Sequence, residues 1–144
     1  MKLVQSMLAE YLDTMLSAEE VADQLTMLGF EVEEVQEIEG EPVLDVSIMA
    51  NRGDAASVLG LARELQAKLG GATSKFTEAS LRSQGKAGNQ IKISSSFCDS
   101  FALLTLDDVQ NGPSPAWLQR RLRQMGQRPI SLLVDLTNYV MLEV

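Results

Sequence analysis

Apolar and polar positions change period several times along the chain, and each change marks an element. Between Ser17 and Gly29, Val21, Leu25 and Leu28 fall at i, i+4 and i+7, one face of a helix. Ser17 and Glu20 form an S-x-x-E capping box, and Leu16 and Val21 stand where a hydrophobic staple belongs. Gly29 supplies the left-handed stop, with Phe30 placed to fold back on Leu25. The period then drops to two through Phe30–Ile38 and again through Val43–Ile48, which predicts two half-buried strands joined by a turn at Gly40, Glu41 and Pro42. Asp54 reads as the cap of a second helix to about Leu69, with Val58, Leu61, Ala62, Leu65 and Leu69 on one face and Gly70–Gly71 at its end. With a short helix at Ser6–Tyr11, the first half is a helix-hairpin-helix module.

The stretch Gly70–Gln90 has few large apolar side chains and much Gly, Ser, Thr, Gln and Ala, the composition of a linker or long surface loop. Beyond it, Ile91–Ile93 and Phe101–Leu106 read as strands and Asn111-Gly112-Pro113 as a turn. Ser114 is placed to cap a helix with Pro115 at its first position; Leu118, Leu122 and Met125 share the buried face and Gly126 stops it. The expected division is residues 1–72 as the first module, 73–90 as linker and 91–144 as the start of a second module. The fold class is α+β.

Composition narrows the chemistry. The chain has no His and one Cys, which removes a His-dependent mechanism, an internal disulfide and a thiolate metal cluster. The N-terminal MKLVQSMLAEYLD is too polar for a signal-peptide core, and the apolar run Leu132–Val144 falls short of the roughly 20 residues that span a bilayer. A cytoplasmic location is expected. The net charge of −8 is unevenly shared, with 14 acids and four bases in residues 1–72 against six acids and eight bases in 73–144. The acids Glu31, Glu33, Glu34, Glu37, Glu39 and Glu41 suit a solvated sheet face better than a cation site, which needs ligands at defined loop offsets.

The basic excess is concentrated at Arg120, Arg121, Arg123 and Arg128. Guanidinium forks match phosphate oxygens, so Arg120, Arg123 and Arg128 are candidate RNA contacts. The competing reading is a solvated helix face whose C-terminus favours cations. Arg121 lies one turn after Trp117 and is placed to stack on its ring. Ser94–Ser96 has no His to activate a hydroxyl, Cys98 suits a buried small hydrophobe, and no glycine-rich phosphate loop, C-x-x-C or H-E-x-x-H occurs. The chain reads as catalytically empty, with no catalytic or metal-binding residue.

Three ordered segments carry a family resemblance. They are LTMLGFEVEEV from Leu25, LDVSIMANRGD from Leu44 continuing through SVLGLAREL from Ser57, and GPSPAWLQRRL from Gly112 continuing to VDLTNYVMLE from Val134. Together they resemble the N-terminal region of the beta subunit of bacterial phenylalanyl-tRNA synthetase. The resemblance sets Asn51, Arg52 and Asp54 on the family's P-N-R-x-D corner, and Gly60, Ala62, Arg63 and Glu64 on the G-x-A-R-E of the next helix. It sets Trp117, Leu118, Arg121 and Leu122 on the helix entering the editing module, and Asp135, Thr137, Asn138 and Tyr139 on the segment leading to its pocket.

The family resemblance implies a structural role for these residues and makes residues 91–144 the incomplete start of an editing-type α/β module. The His-containing part of its pocket would follow Val144, so this segment is expected to be inactive alone. In the family the whole enzyme attaches phenylalanine to tRNA with ATP and Mg²⁺ held by the alpha subunit. The partners implied are therefore that subunit, the remainder of the beta subunit and, weakly, tRNA; no cofactor is implied in the segment itself. The sequence departs from the family at Ala50, Gly53, Met7 and Ser100, and Gly40–Pro42 closes the hairpin where relatives insert an oligonucleotide-binding barrel. A second reading is a free-standing paralogue acting as a protein-interaction module; the apolar face of Leu132–Val144 speaks instead for a truncated piece, for which a homodimer through that face is expected.

Overall fold

The computed structural model describes residues 1–13, 15–70 and 91–144. They belong to two compact units, one made of Met1–Phe76 with Asn111–Val144 and the other of Thr77–Gln110. The division expected at 73–90 lies outside the described residues for its whole length, and residues 111–144 join the first module instead of standing with 91–110. The reason is long-range: Leu118, Leu122 and Met125 are buried in the same core as the sheet and the first three helices.

That unit is α+β. Its strands are β1 (Lys2–Val4), β2 (Val32–Ile38) and β3 (Glu41–Val46), paired antiparallel in the order β1-β3-β2. Its helices are α1 (Gln5–Tyr11), α2 (Ala18–Met27), α3 (Val58–Leu69), α4 (Ala116–Gln124) and α5 (Leu132–Glu143). Leu44 faces Leu3 on one side and Val35 on the other. Val43 and Leu44 point to opposite faces of β3 and both are fully buried, so the centre of the sheet is covered on both sides. A register shift between Val32 and Glu34 accommodates the consecutive Glu33 and Glu34, both exposed. Among the described residues no helix is long and apolar enough to cross a membrane.

The ends of α2 follow the sequence. Glu20 N–H donates to Ser17 Oγ at 3.2 Å and Ser17 N–H to Glu20 Oε2 at 2.8 Å. At the other end Gly29 takes φ +93° and Phe30 N–H returns to Leu25 O at 2.9 Å, with both apolar side chains buried. The hairpin turn is one residue earlier than expected. Glu39 and Gly40 take φ +52° and +75°, and Glu41 and Pro42 already belong to β3.

Two expected caps are wrong. Asp54 lies in a 3₁₀ turn, Gly53–Ala55, and Ser57 caps α3 by accepting from Gly60 N–H at 3.0 Å. Asp54 is drawn away because its carboxylate binds Arg52. The 3₁₀ turn approaches α3 so closely that a Cβ on Gly60 would stand 2.3 Å from Asp54 O, which is why that helix carries a glycine in its interior. Leu69, expected on the buried face of α3, is exposed at its end. At α4 the cap is Pro115, without a side-chain bond, and Ser114 Oγ donates instead to Asp135.

In the second unit, residues 91–110 form a turn and two bends but no strand. Ile91–Ile93 and Phe101–Leu106 alternate in sequence, yet a strand exists only when its backbone groups meet a partner, and none pairs with them among the described residues. The strand β1, by contrast, had too few residues to show a period.

Candidate functional site

The charged side chains singled out by the sequence converge at three places in the first unit. The first is the corner between β3 and α3. Arg52 forks onto Asp54, Nε to Oδ1 at 3.1 Å and Nη2 to Oδ2 at 2.9 Å, and Nη2 also meets Glu64 Oε1 at 2.7 Å. Its guanidinium carbon lies 5.1 Å from the centre of the buried Phe30 ring. The hydrogen bond from Arg52 holds the Asp54 carboxyl below its ordinary range, and Asp54 in turn raises Arg52. Asn51 and Arg63 are exposed and take no part in this knot.

The second place joins α1, α4 and α5. Arg121 donates from Nη1 to Tyr139 Oη at 3.0 Å and from Nη2 to the Glu10 carboxylate. Tyr139 Oη donates to Glu143 Oε1 at 2.9 Å, and its ring meets Trp117 edge-on with centroids 5.8 Å apart. Trp117 therefore packs on Tyr139, while Arg121 takes the phenol oxygen instead of the expected place on the indole. Burial, reinforced by the Glu143 carboxylate, pushes the Tyr139 phenol up to about 12 against the opposing effect of Arg121. Burial and Glu143 also raise Tyr11.

Asp135, 1% exposed, anchors the start of α5. It accepts Ser114 Oγ–H on Oδ2 and Ile130 N–H on Oδ1, the latter at 2.8 Å. Burial works to raise its pKa, but the bonds from Ser114 and the backbone outweigh it and hold the group ionised below the ordinary value. Both oxygens are occupied and Ser114 is itself buried, so this hydroxyl-carboxylate pair is a strut and not an accessible nucleophile with its base. Thr137 bonds back to Val134 O within the helix, and Asn138 is half-buried outside the network.

The third place is the hairpin tip. Arg120 Nη2 donates to Glu39 O at 2.7 Å, and Arg123 grips the Glu39 carboxylate through Nε at 2.6 Å and Nη2 at 3.3 Å. Gln124 adds a bond to Ile38 O at 3.3 Å. The fork from Arg123 lowers the Glu39 pKa. Of the three candidate RNA contacts, two are thus engaged with the hairpin, while Arg128 is exposed and has no ion pair among the described residues.

The second unit has a cavity lined by Ile91, Ile93, Ser95, Cys98 and Phe101, among others. Cys98 is half-buried there and its thiol faces Ser100 O at 3.5 Å. Among the described residues no three His, Cys, Asp or Glu side chains are grouped to hold a metal.

Residues 97–144 match the model of the B3/4 domain. The chain is 45% identical over 104 residues to the phenylalanine–tRNA ligase beta subunit of Mesorhizobium japonicum, covering 69% of this chain and 13% of the relative. It is 43% identical over 105 residues to that of Rhodopseudomonas palustris, covering 70% and 13%. With that of Carboxydothermus hydrogenoformans it shares 40% over 118 residues, covering 81% and 14%. The chain belongs to the phenylalanine–tRNA ligase beta-subunit family. It spans about 13% of the length of these curated relatives.

Within this beta-subunit segment, Arg52, Asp54 and Glu64 form one cluster and Trp117, Arg121 and Tyr139 another, with Asp135 at the root of α5. Sequence reasoning missed the acids that complete them, Glu10, Glu143 and Glu39, and also missed Asn111. Asn111 Oδ1 accepts Leu133 N–H at 3.2 Å and so satisfies an orphan donor of α5. An unbalanced arginine beside an apolar helix face was the signal available for Glu10: a half-buried guanidinium needs an acid.

Proposed function

We propose that this segment is a non-catalytic scaffold in the beta subunit of phenylalanine–tRNA ligase, the ATP-dependent attachment of phenylalanine to tRNA being the work of the whole enzyme. The observation that carries the reading is Arg121, which ties α1, α4 and α5 together through Glu10 and Tyr139. A side chain whose two terminal guanidinium nitrogens are both committed to internal partners fixes the relative positions of helices and acts as a brace. The partners in this reading are the rest of the beta subunit and the alpha subunit, in a cytoplasmic enzyme. In this reading ATP and Mg²⁺ belong to the alpha subunit, as the family resemblance implies. An RNA contact by Arg120, Arg123 and Arg128 is secondary.

The test is co-expression with an alpha subunit and the remaining beta-subunit modules. Arg121→Ala should reduce recovery of the assembled enzyme, while the isolated chain should give no ATP–pyrophosphate exchange. Turnover by the chain alone would end the proposal.

A second reading, the free-standing paralogue, draws on the family departures at Ala50, Gly53, Met7 and Ser100. The α5 face, with Leu133, Leu136, Val140 and Met141 exposed at 44, 39, 50 and 61%, suits instead a segment covered by the rest of a larger subunit. For the paralogue to stand, a second copy of the chain must cover that face. A concentration-dependent dimer abolished by Leu136→Glu with Val140→Glu would support it, and a monomer at all concentrations would remove it.

A further inference from the structure

Two guanidinium groups on consecutive turns of α4 converge on a single residue of the hairpin tip. Arg123 holds the Glu39 carboxylate with the side-on fork that guanidinium also offers to a phosphate, and Arg120 holds the carbonyl of the same residue. The tip is formed at a conformational cost: Glu39 sits at φ +52°, the left-handed region that Gly or Asn occupies cheaply in a two-residue turn, beside Gly40 at φ +75°. A carboxylate is thus kept at a backbone position that does not suit its residue type, and the partner it reaches is Arg123. The contact remains open to water, with Arg123 44% and Glu39 37% exposed, so a single carboxylate holds the fork weakly.

We propose that Arg120 and Arg123 form a binding site for the phosphates of an RNA backbone, and that Glu39 is a built-in competitor that occupies it in the free chain. This deepens the RNA-contact part of the proposed function and rests on that reading for the choice of ligand. A polyanion presents several phosphates and releases counterions on binding, so it displaces one carboxylate where a lone anion of similar charge would not. The acidic first half, with 14 acids against four bases, disfavours nucleic acid on its own surface, and its hairpin acids set the repulsion that a bound phosphate must overcome. Arg128, exposed just beyond the helix stop at Gly126, extends the basic segment.

The test compares the full chain with Glu39→Gln and Glu39→Asn, the second of which suits the left-handed turn and guards against misfolding. Binding of a tRNA transcript is measured at low and high salt, alongside titration with inorganic phosphate. Both variants should bind the transcript about two- to fivefold more tightly at low salt, the range expected for releasing one exposed ion pair. Adding Arg120→Ala and Arg123→Ala should abolish that gain. Unchanged affinity in both Glu39 variants, or a gain that survives loss of the arginines, would overturn the proposal. Binding of inorganic phosphate without binding of the transcript would also overturn it. Failure to assemble with the alpha subunit would sink the scaffold reading and leave this result standing.

Discussion

The α2-hairpin region and the α4–α5 pair share one core but are secured differently. Each end of α2 is closed by residues three to five apart in sequence, through the Ser17–Glu20 box and the return of Phe30 to Leu25. At α4 and α5 the side-chain partners come from far away: Arg121 reaches Glu10, Arg123 reaches Glu39, and Ser114 and Asn111 attend the start of α5. An element with local closure can form early and be read early. One that depends on distant partners needs most of the fold in place, because its orphan donors and buried charges are satisfied only there.

The largest effect should come from the apolar contact that brings the two regions together. Leu122 is fully buried, and Leu122→Ala should cost about 2–5 kcal/mol in denaturant unfolding. If the loss is under about 1 kcal/mol, α4 is not part of the common core. Gly60→Ala should cost about 1–3 kcal/mol, since the new methyl meets the backbone of the 3₁₀ turn and not a yielding side chain. An unchanged midpoint would show that the turn moves aside freely. Ser17→Ala should cost about 1 kcal/mol and should chiefly lower amide protection in α2, which sharpens the claim that its start is locally closed.

The last effect leaves neutral solution aside and is alkaline, carried by Tyr139 on α5 together with the raised Tyr11 on α1. The Tyr139 phenol is raised from an ordinary 10.0 to about 12, so the folded state holds its proton more tightly than the unfolded chain. Its contribution is complete below pH 10.0 and is lost as the pH rises to about 12. Tyr139→Phe should flatten that loss in a pH series of unfolding midpoints, and an identical alkaline limb in the variant would contradict it.

This contrast also explains what the sequence made legible. The α2 signals are chemical and short-range, so Ser17, Glu20, Gly29 and Phe30 were interpretable without any tertiary knowledge. Asp54 and Ser114 looked equally like caps, but each had a stronger partner within reach: Arg52 two residues away for one, and Asp135 twenty-one residues away for the other. The alternation at Ile91–Ile93 and Phe101–Leu106 described two faces and said nothing of a neighbour to pair with. For the site, the family resemblance supplied Trp117, Arg121 and Tyr139, whereas Glu10 and Glu39 carry no motif and Glu143, though it closes the matched VDLTNYVMLE segment, is tied to Tyr139 only by the fold.

Trp117 is the only tryptophan in the chain and lies edge-on to Tyr139 at the junction of α4 and α5, half open to solvent. Excitation absorbed by that phenol passes to the indole over such a short span. The ratio of tyrosine-excited to directly excited emission therefore reports the closing of this joint, with no dye attached, even inside a larger assembly if its other tryptophans are replaced.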